Sequence, residues 1–229
     1  MKNFFEKVKG GVVGVYAKLS KQNVELMNLV KENKEFLEAT QALVKESTEA
    51  IGSLKTYASN ETPAIKDAFT SVSESLESVE QSRSEMVAKL QEQFLGPLTT
   101  LTEEYKKLST QMSADEKANK DLEKAKADLD KVKKKPAEKA KPGEAEGADA
   151  KIKAAQEKAT KEREAVVKMT GEFTEAKVKV MKDALAKLID LEDEFYKKAA
   201  EMIQSSKAKI AAINVQKEVE AQATQPAPK

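Results

Sequence analysis

The sequence predicts an all-α protein built from three long antiparallel helices, and three observations predict it. Ala, Glu, Lys, Leu, Gln and Val recur throughout and most of them favour helix, while no stretch alternates β-branched or aromatic residues with polar ones as strands do. The chain is 34% charged and 5% aromatic with no Trp, too polar to wrap one large spherical core and suited to an elongated assembly. Its apolar residues recur at steps of three, four and seven, the periods of packed helices.

Residues 1–15 form a segment of their own. At about 100° per residue, Phe4, Phe5, Val8, Val12, Val15, Tyr16 and Leu19 share one arc, with Lys2, Lys7, Lys9, Lys18 and Lys21 outside it. This is an amphipathic helix with a basic polar face, the pattern of a segment that lies in a lipid headgroup layer. Gly10, Gly11 and Gly14 each disfavour helix by up to about 1 kcal/mol in water. Two readings stand side by side: a segment that folds on a bilayer, and a flap that covers the bundle.

The first long helix is expected over about 16–58. Its apolar residues come as adjacent pairs seven residues apart: Leu29-Val30, Phe36-Leu37, Leu43-Val44, Ala50-Ile51 and Tyr57-Ala58. A heptad seam two residues wide implies more than one neighbouring helix, and Phe36, Leu37, Leu43 and Val44 are the expected dimer contacts. Ser59-Asn60-Glu61-Thr62-Pro63 then breaks the helix, with Asn60 or Thr62 placed to cap the next one and Pro63 suited to its first position.

The second helix, about 63–135, carries a stripe from Ile65 and Phe69 to Leu129 and Val132, with a bend expected at Gly96-Pro97 because Pro97 has no N–H and its ring presses on the preceding turn. Residues 136–149 hold Pro and Gly but no large apolar side chain and read as a loop. The third helix, about 150–215, has Ile152, Ala159, Val166, Phe173, Leu188, Leu191, Phe195 and Met202 in its stripe, and 216–229 reads as a flexible tail. At 1.5 Å per residue the three helices measure roughly 60, 100 and 95 Å. Seams this wide are not all covered within one chain, so dimerisation is expected.

With neither Cys nor His, thiolate nucleophiles, imidazole bases, disulfides and nearly every zinc or iron site are excluded. The Gly10-Gly11-Val12-Val13-Gly14 run lacks the Lys-Ser/Thr continuation of a phosphate-binding loop, and Glu192, Asp193 and Glu194 point in different directions on a helix. No catalytic residue, metal site or cofactor is expected. The sequence has no apolar run of 18 residues and no secretory signal pattern, so the expectation is a cytoplasmic protein whose membrane attachment, if any, is peripheral.

The stretch Tyr57-Ala58-Ser59-Asn60-Glu61-Thr62-Pro63-Ala64-Ile65-Lys66, followed by Arg83, Val87, Leu90 and Pro97-Leu98, resembles the helix 1 to helix 2 region of BAR (Bin/amphiphysin/Rvs) domains and is most similar to the Chibby-interacting branch. The resemblance implies a coiled-coil domain of three kinked helices, a six-helix bundle in a crescent-shaped antiparallel homodimer, and lipid binding through basic residues of the concave face and the tips. The Lys/Pro/Ala loop at 131–149 and the lack of an acidic tail depart from that branch, so the BAR reading is carried over and the Chibby partner is not.

Charge placement adds to this. Residues 1–21 have a net charge of +4, 22–116 of −8 and 117–168 of +5. The densest cluster is Lys131, Lys133, Lys134, Lys135, Lys139 and Lys141, with Lys151 and Lys153 just beyond the loop. A BAR dimer places this cluster at each tip, where each lysine near an anionic leaflet contributes on the order of 1 kcal/mol. Lys106, Lys107, Lys161, Arg163 and Lys168 are the candidates for the concave face, and Phe4, Phe5, Val8 and Val12 with Lys7 and Lys9 for membrane insertion. Nucleic acid is a poor fit because the cluster has no Arg and no interleaved aromatic for base stacking. The expected function is a curvature-sensing or curvature-generating homodimer on anionic phospholipid membranes. The alternative is a scaffold coiled coil that binds adaptor or cytoskeletal proteins without lipid.

Overall fold

The computed structural model describes residues 12–135 and 143–224, with side chains from residue 14. Among the described residues five α-helices follow one another: α1 (Val12–Ala58), α2 (Pro63–Leu90), α3 (Gly96–Lys133), α4 (Glu144–Ala211) and α5 (Val215–Thr224), with a π-helical turn at Gln91–Leu95 joining α2 to α3. No strand occurs among the described residues.

The break after α1 is a run of tight turns in which the N–H groups of Ser59, Asn60 and Glu61 donate to the carbonyls of Thr56, Tyr57 and Ala58. Thr62 is extended (φ −62°, ψ 155°) and Pro63 opens α2, as the sequence implies. The Thr62 side chain does not cap α2, however; its hydroxyl donates to the Glu218 carboxylate of α5 instead.

At the expected bend the chain changes its hydrogen-bond step rather than stopping. The Gly96 N–H donates to the carbonyl of Gln91, five residues back, and this wider turn accommodates Pro97, which has no N–H and would crowd a regular turn.

The third expected helix starts earlier than residue 150. Gly143 has φ +79°, a conformation glycine adopts without penalty, and its carbonyl accepts from the Gly147 N–H. Glu144 and Glu146 in the first turn then complement the helix dipole. At the other end the tail expected from 216 includes α5, opened by Asn214, whose side-chain oxygen accepts from the Lys217 N–H at 3.2 Å.

The chain forms two compact units, residues 1–28 with 98–181 and residues 29–97 with 182–229. In the first, Leu19 and Leu26 of α1 are buried along with Leu98, Leu101 and Leu108 of α3 and Val166 and Phe173 of α4. In the second, Leu37 and Ile51 of α1 are buried along with Val79, Met86 and Leu90 of α2 and Leu191 and Phe195 of α4. Each such side chain contributes roughly 1.5–3 kcal/mol by leaving water.

Candidate functional site

The basic end of the first unit lies where α3 stops and α4 starts. A groove there is lined by Asp128 and Val132 of α3 and by Glu144, Gly147 and Lys151 of α4. Lys131, Lys133, Lys134, Lys135, Lys151 and Lys153 are all exposed. They differ in what they face. Lys131 donates to Asp128 at 3.0 Å, which holds that carboxyl below its usual range, and Lys135 donates to Glu144. Lys133, Lys134, Lys151 and Lys153 form no ion pair within 4.0 Å among the described residues. Lys139 and Lys141 lie outside the described residues.

The residues expected on a concave face divide. Lys106, Lys107, Lys161 and Lys168 are exposed, but Lys107 shares a shallow groove with Glu104 and Glu172, and Lys168 pairs with Glu172 at 3.9 Å. The local charge there is mixed. Arg163 needs correction: it is half-buried and its Nε donates to Asp115 Oδ1 at 2.8 Å. Asp115, only 1% exposed, also accepts from the Tyr16 hydroxyl at 2.8 Å and from Asn119 Nδ2 at 3.0 Å. Arg163 thus balances a buried carboxylate held by α1, α3 and α4. A buried charge needs such partners, and Asp115 lies forty-eight residues from Arg163 in the chain, beyond the reach of any local pattern. Burial, reinforced by the bond to Asp115, pushes the Tyr16 hydroxyl well above its ordinary pKa.

This network also limits the N-terminal segment. Tyr16 and Leu19, placed by their angle on the same apolar arc as Phe4 and Phe5, are buried in the first unit, and α1 is continuous from Val12. Tyr16 and Leu19 are therefore core residues of the first unit. Phe4, Phe5, Lys7, Val8 and Lys9 lie outside the described residues, as does the Val12 side chain.

In the second unit the doubled seam of α1 splits. The inner members Leu37, Ile51 and Ala58 are buried and Val44 is half-buried, whereas the outer members Phe36, Leu43, Ala50 and Tyr57 are exposed. The numbers are decisive: Leu37 is 4% exposed and Phe36 52%. Neighbours on a helix point about 100° apart, so one helix presents one row to its own chain and the other outward. Leu37, assigned to a partner surface by the sequence, is already covered within its own chain.

A matching outward row on α4 escaped the sequence reading. Leu185, Ile189, Tyr196, Ile203 and Ile210 are all exposed, the last four at seven-residue steps. Its signal in the sequence is a second doubled seam, Leu188-Ile189, Phe195-Tyr196 and Met202-Ile203.

No family model matches the sequence, and no curated protein matches it either. Solved structures do. The Amphiphysin BAR domain from Drosophila aligns over 98% of this chain and 95% of its own, with a TM-score of 0.69 at 13% identity. The I-BAR domain of D. discoideum IBARa covers 90% of this chain and 87% of its own (TM-score 0.47, 14% identity), and the Hof1p F-BAR domain covers 96% and 94% (TM-score 0.48, 11% identity). The first of these carries the assignment of fold; none distinguishes the Chibby-interacting branch. Long helices, two of them with doubled heptad seams, aligned over 98% of this chain with that domain, lead to one conclusion: the chain has the fold of a BAR domain.

Proposed function

We propose that the protein is a homodimer that binds anionic membrane surfaces peripherally and senses or imposes their curvature. The observation that carries this is the group of exposed lysines with no ion pair within 4.0 Å among the described residues, Lys133, Lys134, Lys151 and Lys153, where α3 stops and α4 starts. Lys131 and Lys135, and Lys139 and Lys141 in the intervening loop, add to the same field. Charge at this density attracts anionic headgroups without a pocket, and the attraction weakens as salt shortens the screening length from about 30 Å to about 8 Å. Among the described residues no helix is long and apolar enough to cross a membrane, which suits attachment from the surface, and a cytosolic face is part of the same proposal.

The outer rows, Phe36 and Leu43 on α1 and Ile189, Tyr196 and Ile203 on α4, are the surface proposed for the second copy. Large side chains repeating at heptad spacing on two helices of one unit are the pattern that a coiled-coil partner covers. The segment containing Phe4, Phe5, Lys7, Val8 and Lys9 supplies a shallow wedge that deepens attachment once the lysines have brought the surface close. Lys106, Lys107, Lys161 and Lys168 are secondary contacts, since carboxylates neighbour at least Lys107 and Lys168.

The test is vesicle co-sedimentation of the full chain and of a variant with Lys133, Lys134, Lys151 and Lys153 all changed to Glu. The wild type should bind vesicles rich in anionic lipid at low salt, bind less at moderate salt, and bind neutral vesicles poorly throughout. The variant should melt like the wild type and lose most of this binding. Equal binding by wild type and variant would refute the assignment to these lysines. No binding by the wild type to either kind of vesicle would favour the protein scaffold.

A further inference from the structure

Helix α5 is bonded to its own chain at the turn between α1 and α2. The Thr62 hydroxyl donates to the Glu218 carboxylate, and the Gln222 side chain donates to Glu61 at 3.2 Å. Glu218 and Ala221, one turn apart on α5, are half-buried, and no residue of the helix is buried. A helix of ten residues with so little covered surface is marginal by itself, so α5 comes off the body more readily than helices whose side chains fill the core.

The residue that α5 holds has a chemistry of its own. Thr62-Pro63 is the sole step in this chain at which Pro follows Ser or Thr, the pair of residues that a proline-directed kinase reads. Thr62 has the extended backbone that a following Pro imposes, with φ −62° and ψ 155°. It is 0% exposed, and its hydroxyl is engaged by Glu218. A phosphate on that oxygen has no room while α5 is in place. Its charge of about −2 would also lie against the Glu218 carboxylate, with Glu61 the next residue in the chain. Once α5 is off, the same phosphate is well placed. No side chain caps α2, so its first-turn N–H groups are open to an anion on Thr62, and exposed Lys66 follows one turn later. Docked α5 and a phosphorylated Thr62 are therefore mutually exclusive.

We propose that Thr62 is a phosphorylation site for a proline-directed kinase, with α5 as its removable cover. A nucleoside triphosphate supplies the group. The bond from Thr62 Oγ1 to the γ-phosphorus forms, the bond from that phosphorus to its bridging oxygen breaks, the nucleoside diphosphate leaves, and the hydroxyl proton passes to the base of the kinase. Modification then keeps α5 off, because the carboxylate that accepted from the hydroxyl now faces an anion.

Two measurements on the full chain test it. In the first, wild type, a Glu218→Ala, Gln222→Ala double variant and Thr62→Val are each incubated with a proline-directed kinase and ATP, and phosphate is located by peptide mass spectrometry. Wild type should acquire phosphate on Thr62, the double variant should acquire it about tenfold faster because two bonds holding the cover are gone, and Thr62→Val should acquire none at this position. In the second, hydrogen exchange compares wild type before and after modification. Amides of residues 215–224 should lose protection, while those of residues 64–66 should gain it. If neither wild type nor the double variant takes phosphate on Thr62, the site is refuted. Equal rates for the two would remove α5 as the cover, and a phosphorylated chain whose α5 amides stay as protected as before would overturn the mutual exclusion.

Discussion

The two units of this chain solve the same packing problem differently. The first, residues 1–28 and 98–181, holds twenty-five basic and nineteen acidic side chains; the second, residues 29–97 and 182–229, holds fifteen and twenty. In the first, a buried carboxylate is bonded by groups from three helices, and Tyr105 adds an edge-on ring contact with Phe173 and a hydroxyl bond to Ser20 at 2.9 Å. In the second, the Arg83 guanidinium lies over the Phe195 ring at 4.7 Å and the Ser75 and Ser205 hydroxyls meet at 3.2 Å, while apolar rows on α1 and α4 face outward. One unit fixes its helix register internally through directional bonds and turns charge outward. The other leaves surface that a further copy can cover.

That comparison breaks most visibly at Ile189. Ile189→Glu puts a charge into the proposed interface and should weaken dimerisation by about a hundredfold or more, since an unpaired carboxylate there would be desolvated without compensation. Sedimentation equilibrium checks it, and an unchanged dimer would remove Ile189 from the interface. The corresponding blow to the first unit is Asp115→Ala, which leaves the Tyr16 hydroxyl and Arg163 without their acceptor and should lower unfolding free energy by about 2–4 kcal/mol with no change in self-association. Chemical denaturation measures the loss, and dimer affinity is the control.

A sharper version uses adjacent residues. In the Ile189→Glu background, Leu37→Ala should destabilise the fold by about 2–4 kcal/mol, whereas Phe36→Ala should stay within about 0.5 kcal/mol. Equal losses would mean that the seam does not split as described. The smallest effect belongs to the basic end of the first unit: Asp128→Asn removes the partner of Lys131, an exposed pair at the surface, and thermal unfolding should barely move. Vesicle binding should rise slightly, since one lysine is freed and one negative charge is lost.

Much of the fold was legible because helix periodicity, Pro63 and the Gly96-Pro97 step are written in neighbouring residues. The doubled pairs gave the width of the seam but not its division, since Phe36 and Leu37 are equally apolar and only the placement of α2 and α4 decides which faces inward. Arg163 was misread for a related reason. A basic residue between lysines looks solvated until Asp115, forty-eight residues earlier in the chain, is found buried beside it. The start of α4 was set six residues late because Gly143, Gly147 and the acidic first turn look like loop composition, although a positive-φ glycine followed by Glu144 and Glu146 opens a helix well. The tail was misread because α5 has only two large apolar side chains, too few to register as a stripe.

The central proposal is that a second copy covers the outward rows of α1 and α4 in the second unit, while the α3 side chains Leu98, Leu101 and Leu108 are buried within one chain, and hydrogen exchange read against protein concentration tests it most directly. Amides on α1 from residue 36 to 57 and on α4 from 185 to 210 should gain protection as the protein is raised from nanomolar to tens of micromolar, while those on α3 from 98 to 129 should exchange at one rate throughout. Protection that is independent of concentration in both units, in a chain that sediments as a monomer, would contradict the account.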